Sequence, residues 1–156
     1  MDDFDERRLP TWGIPNKAEE RWILMVPNEV LKEIKVRAAV AWPGDYSMQA
    51  HVISEQSEAF ERITHYQTTL DMTNEVIACC MKRALRDWPD DFGMQVHVFD
   101  EQIEAAGDFF NAEFPGVPED VLQEIRARAF SEWPEDYSMM LHELTEQIEG
   151  WKSVNF

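Results

Sequence analysis

The stretch WPGDYSMQAHVISEQSE at residues 42–58 returns as WPDDFGMQVHVFDEQIE at 88–104 and as WPEDYSMMLHELTEQIE at 133–149. The tryptophans are 46 and then 45 residues apart, and self-similarity at such a period indicates one supersecondary unit used repeatedly. Any fold for this chain must therefore solve the same local packing problem three times.

The residues before each tryptophan say what the unit is. Leu31, Ile34, Ala38 and Trp42, then Ile77, Cys80, Ala84 and Trp88, then Leu122, Ile125, Ala129 and Trp133 recur at helical spacing. Each set predicts a first helix, with its tryptophan largely buried at the end. The starts are marked by Pro27-Asn28-Glu29, Thr73-Asn74-Glu75 and Pro118-Glu119-Asp120, where a capping side chain or an acid satisfies free amides and suits the helix dipole. Pro43, Pro89 and Pro134 then stop the first helices, because proline cannot continue the hydrogen-bond ladder.

Asp45, Asp91 and Asp136 are placed to cap a second helix. Its core stripe is Tyr46, Ala50, Ile53, Ser57 and Phe60, with the equivalents Phe92, Val96, Phe99, Ile103 and Ala106 and then Tyr137, Leu141, Leu144, Ile148 and Trp151. The unit is an αα-hairpin. The expected fold class is all-α: three tandem αα-hairpin repeats at 28–72, 73–117 and 118–156, forming a compact helical-repeat bundle or short solenoid. An arm at 1–27 carries an amino-terminal capping helix at 16–25, with Ala18, Trp22 and Met25 in register. The period matches HEAT and armadillo units in length but not in residue pattern.

A chain of 156 residues is sized for a single domain, 1–156, and its 44% hydrophobic residues suit a packed core. Its formal charge of −17 repels nucleic acid and anionic lipid and steers basic partners inward. Neither direct nucleic-acid binding nor membrane binding is expected. The charge is uneven: residues 87–125 hold eleven Asp or Glu and no Lys or Arg. Cys79 and Cys80 are adjacent, diverge on a helix and are poorly placed for a mutual disulfide. With no apolar run near eighteen residues and no apolar leader, a cytoplasmic, soluble protein is expected.

The second helix carries a second face. At about 100° per residue, Met48, His51, Glu55 and Glu58 fall opposite the core stripe, yet they are identical in Met94, His97, Glu101 and Glu104 and in Met139, His142, Glu146 and Glu149. Residues opposite a core usually face water and drift.

Three readings compete for this face. If it packs against a neighbouring hairpin, Arg37, Arg83 and Arg128 meet its glutamates, the histidines bond Glu55, Glu101 and Glu146, and alanine at Met48, His51 and Glu55 lowers stability. If it recognises a partner, three Met/His/Glu surfaces present carboxylates to a basic protein, in the sharpest case mimicking phosphates for a nucleic-acid-handling protein. If it binds metal, His-x3-Glu supplies ligand types for Zn, Fe or Mn, although bundle di-metal sites use inward Glu-x-x-His. Gln56, Gln102 and Gln147, at the core border, are expected to satisfy a turn or backbone group.

No phosphate loop, nucleophile elbow, HExxH or CxxC pair is present. Cys80 aligns with core positions, Cys79 shows no activating neighbour, and His65 lies outside the repeat. The resulting expectation is a non-enzymatic acidic interaction module without a cofactor, acting as a stoichiometric inhibitor that mimics nucleic acid. A metal-binding protein and a scaffold are the alternatives, and three like surfaces leave room for self-association.

Overall fold

The computed structural model describes residues 26–156. The expected capping helix at 16–25 lies outside the described residues. Six α-helices and no strand make up the fold among the described residues: α1 (Asn28–Ala41), α2 (Tyr46–Thr69), α3 (Glu75–Asp87), α4 (Phe92–Asn111), α5 (Glu119–Glu132) and α6 (Tyr137–Asn155). They fall into two compact units, one running to Leu70 and including Asp90–Val96, the other made of Asp71–Pro89 and His97–Phe156.

In the first unit α1 packs on α2. Ile34 and Ala38, four apart on one face of α1, are buried together with Ser57 and Ile63 of α2. No side chain caps α1; the Pro27 carbonyl accepts from the Leu31 N–H at 2.9 Å, and Glu29 lies in the first turn, where the helix dipole favours an acid. Trp42 closes the helix by donating its N–H to the Ala38 carbonyl at 2.9 Å. The chain turns through Pro43 and Gly44, whose φ of 79° is costly for any residue with a Cβ. Asp45 then accepts from the Met48 N–H at 3.1 Å and starts α2.

In the second unit α5 packs on α6. Leu122 and Ala129 of α5 and Met140, Leu144 and Ile148 of α6 are buried, as are Cys80, Met81 and Ala84 of α3 and Phe99, Ala106 and Phe109 of α4. Asn74 caps α3 by accepting from the N–H groups of both Val76 and Ile77. Arg126 donates to the Phe109 carbonyl at 3.1 Å and the Ala112 carbonyl at 2.7 Å, so a cation satisfies carbonyls at the negative end of α4.

Two expectations are corrected. Trp42, Trp88 and Trp133 are 41%, 40% and 36% exposed, not largely buried. Each occupies the C-cap with φ near −130° and ψ near 65°, and that departure from helical dihedrals swings the side chain out of the stripe that ends at Ala38, Ala84 or Ala129. The second correction concerns Tyr46 and Ala50, which head the first core stripe but are exposed, Tyr46 by 76%. The equivalent Tyr137 is only 4% exposed, for a reason that lies at the start of its helix.

Candidate functional site

The aspartate after each WP turn positions the second helix. Asp91 accepts from the Met94 N–H at 3.0 Å and Asp136 from the Met139 N–H at 3.1 Å, as Asp45 does from Met48. An aspartate at the N-cap satisfies an amide that the helix itself cannot.

Two of these turns are also gripped from the preceding copy of the repeat. In the first unit, Gln56 donates through Nε2 to Asp91 Oδ1 at 2.9 Å and accepts from the Phe92 N–H at 2.8 Å. Phe92 then meets Phe60 edge to face at 5.0 Å. Arg37 lies 3.8 Å from Asp90. In the second unit, Gln102 accepts from the Tyr137 N–H at 2.8 Å and donates to Asp136 Oδ1 at 3.3 Å and Ser138 Oγ at 3.2 Å. Arg83 donates to the Glu135 carbonyl at 3.1 Å and to Asp136 Oδ2 at 3.4 Å. The same arginine and glutamine therefore hold the same acid-aromatic helix start twice. This grip seats the start of α6, and the Tyr137 ring there also meets Phe110 at 6.1 Å.

The third copies of these side chains bond differently. Gln147 donates to Glu143 at 3.1 Å, and Arg128 pairs with Glu132 at 3.3 Å, each within its own helix. Arg128 is 63% exposed, against 25% for Arg83 and 38% for Arg37.

The expected pairing of these arginines with the repeated glutamates is thus corrected: Arg37 and Arg83 reach acids of the WP turn, because α1 and α3 carry them toward the turn that follows the next first helix.

The repeated face itself is turned to water. His51, Glu55, Glu58, His97, Glu101, Glu104, His142, Glu146 and Glu149 are all exposed, while Met48, Met94 and Met139 are half-buried. His51 lies 3.6 Å from Glu55 and His142 lies 3.3 Å from Glu146, both pairs more than half exposed. Such pairs hold a rotamer and contribute little stability. Beside Glu55 and Glu58 is a shallow hollow of about 150 Å³ that also includes Arg62 and Gly93. Among the described residues, no group of three or more His, Cys, Asp or Glu could hold a metal ion.

The two thiols are free. Burial pushes Cys80 up to about 12, and burial followed by the Glu135 charge raises Cys79. Tyr137 is also pushed up to about 12, first by burial. These are groups held neutral, without the thiolate character of a nucleophile.

Gln56 and Gln102 satisfy a turn amide as expected, whereas Gln147 bonds the Glu143 side chain instead; what sequence reasoning missed is that an arginine joins the glutamine on the same turn. The signal was present in the identity of Arg37, Arg83 and Arg128 and of Gln56, Gln102 and Gln147, but which turn they reach depends on tertiary placement. No helix among the described residues is long and apolar enough to cross a membrane. No family model matches the chain, and neither a curated protein nor a solved structure matches it.

Proposed function

We propose that the chain is a non-enzymatic, acidic protein-interaction module of three tandem αα-hairpins, and that its Met, His and Glu face engages a basic protein. The hairpin reading is supported by the packing of α1 on α2 and of α5 on α6 and by the recurrence of one grip at Gln56 and Gln102. The observation that carries the functional reading is the exposure of the His and Glu residues in all three copies. Water imposes no reason for three copies of an exposed side chain to agree, whereas a binding partner does.

The chemistry follows from the charge. Six exposed glutamates, Glu55, Glu58, Glu101, Glu104, Glu146 and Glu149, in a chain of charge −17 attract lysine and arginine at long range, and the half-buried methionines supply adaptable apolar contact. The sharper form of the proposal is phosphate mimicry, in which those carboxylates occupy the nucleic-acid groove of their partner and inhibit it stoichiometrically.

The test is affinity capture from nuclease-treated lysate at about 0.1 M and about 0.5 M salt, between which the screening length falls about twofold. The wild-type chain is compared with a variant in which all six glutamates are glutamine. A basic protein recovered at the lower salt by the wild type and lost by the variant supports the reading; equal recovery by both overturns it. Competition by duplex DNA for the same partner then separates mimicry from other acidic recognition.

A further inference from the structure

The geometry points to a docking site on α5 and α6, whose ligand is the WPGDY turn, residues 42–46, of a second copy of this chain. The inference rests on the Arg-Gln grip and is independent of the partner proposed for the Met, His and Glu face.

Each internal grip has three parts. A glutamine from a second helix bonds the cap aspartate and the following aromatic N–H, an arginine from a first helix reaches that aspartate or its neighbour, and the aromatic ring is covered. All three parts are present again around Arg128 and Gln147. These residues line an open hollow of about 550 Å³ together with Ile125, Trp151 and Val154. Trp151 stands at the repeat position of Phe60, the residue that meets the Phe92 ring. Glu124 also lines the hollow and stands at the repeat position of Cys79, whose thiol interacts with the Tyr137 side chain. A carboxylate there accepts from a phenol O–H.

The complementary piece is also exposed. Asp45 has the cap geometry of Asp91 and Asp136, and Tyr46 is the first-copy equivalent of Phe92 and Tyr137, yet its ring is 76% exposed where Tyr137 is 4% exposed. The turn carries Gly44 where the others carry Asp90 and Glu135. The grip on Tyr137 shows that this difference is tolerable, because Arg83 uses the Glu135 backbone carbonyl and Asp136, and both have counterparts in Gly44 and Asp45. In the docked pair, Gln147 exchanges its bond to Glu143 for Asp45 and the Tyr46 N–H, Arg128 exchanges Glu132 for Asp45, and the Tyr46 ring enters the hollow beside Trp151.

Because the two surfaces differ, the contact is heterologous, and a docked pair still presents one free surface of each kind for further copies. The net charge of −17 opposes assembly, so the test is made at about 0.5 M salt, where the screening length is only a few ångströms.

Sedimentation velocity of the full chain is followed up to about 1 mM, the range in which weak docking becomes visible. Two single-site variants are compared, Tyr46→Ser at one surface and Arg128→Glu at the other; both residues are mostly exposed, and circular dichroism checks that each variant folds. The wild type is expected to grow past the dimer with concentration. Each variant alone is expected to remain monomeric, while an equal mixture of the two forms a dimer and nothing larger, since only one productive junction survives. A wild type that stays monomeric throughout, variants that still associate, or a mixture that stays monomeric would each overturn the inference.

Discussion

Three glutamines that look the same in sequence should differ sharply in what they contribute. Gln102 is 3% exposed and is the acceptor for the Tyr137 N–H at 2.8 Å. Gln102→Ala leaves that buried amide without its acceptor, at a cost of about 1–3 kcal/mol, and removes a hydrogen bond to a carboxylate, worth about 1.5–3 kcal/mol. Allowing for overlap between these contributions, the expected loss is about 3 kcal/mol, which corresponds to a fall in Tm of roughly 6–12 °C for a chain of this length. Gln147 makes one bond, to Glu143 one turn earlier in α6, and such i, i+4 pairs are worth about 0.2–0.5 kcal/mol. Gln147→Ala should therefore be nearly silent in dilute solution. A third variant, Gln102→Glu, keeps an acceptor for Tyr137 but replaces the donor that faces Asp136 with a second carboxyl. Like charge holds the introduced carboxyl above the ordinary glutamate value of about 4.3, so its deficit against wild type is largest at neutral pH and shrinks as the pH falls toward 4. Urea melts of the three variants at pH 7 and pH 4 test the scheme. Equal losses for Gln102→Ala and Gln147→Ala, or a Gln102→Glu deficit that grows on acidification, would refute it.

The repeated face gives the opposite expectation: alanine at His51, Glu55 and Glu58 together should change stability by no more than about 0.5 kcal/mol per site, and a collective loss of several kcal/mol in a thermal melt would return the face to packing. Trp133→Ala should cost about 2 kcal/mol, less than the roughly 3–5 kcal/mol of a fully buried tryptophan, because 36% of the residue is exposed; denaturant midpoints measure it. The raised Cys80 thiol also makes a signed prediction. Its folded value of about 12 exceeds the unfolded value of about 8.5, so the neutral thiol contributes stability that is complete below about 8.5 and is lost as pH rises through that window. Cys80→Ala should therefore flatten the alkaline limb of a stability-against-pH curve, and an unchanged limb would assign it to other groups.

Local signals in this chain were read correctly where the chemistry is local. Proline positions, cap aspartates and helix spacing placed all six described helices, and Asn74, Asp45, Asp91 and Asp136 each bond the amides they were expected to cap. The failures occurred where a residue's environment depends on a neighbouring segment. Tyr46 and Tyr137 occupy the same repeat position and differ from 76% to 4% in exposure. Gln102 and Arg83 hold the start of α6, where the Tyr137 ring also meets Phe110, and nothing in the local pattern around residue 46 records whether a similar pair holds α2. The tryptophans failed for a second reason: a heptad-like spacing includes the C-cap position, but the backbone there is no longer helical.

The three copies also separate two kinds of identity that the sequence alone could not tell apart. Gln56 and Gln102, and Asp91 and Asp136, make the same bonds to equivalent partners, and Arg37 and Arg83 both reach the same turn, Arg37 at Asp90 and Arg83 at the Glu135 carbonyl and Asp136. Ala38, Ala84 and Ala129 are each fully buried, and a close-packed core is sensitive to any change of side-chain volume. Contacts within the chain account for both sets. They do not account for His51, His97 and His142 or the paired glutamates, which stand in water, and the 3.3–3.6 Å His-Glu pairs seen in two of the copies are too exposed to select for themselves. On the proposed reading, that agreement reflects a ligand for this face. Should the face variant lose as much stability as Gln102→Ala, the agreement among the histidines and glutamates would have an internal cause, and no acidic binding surface would be needed to explain it.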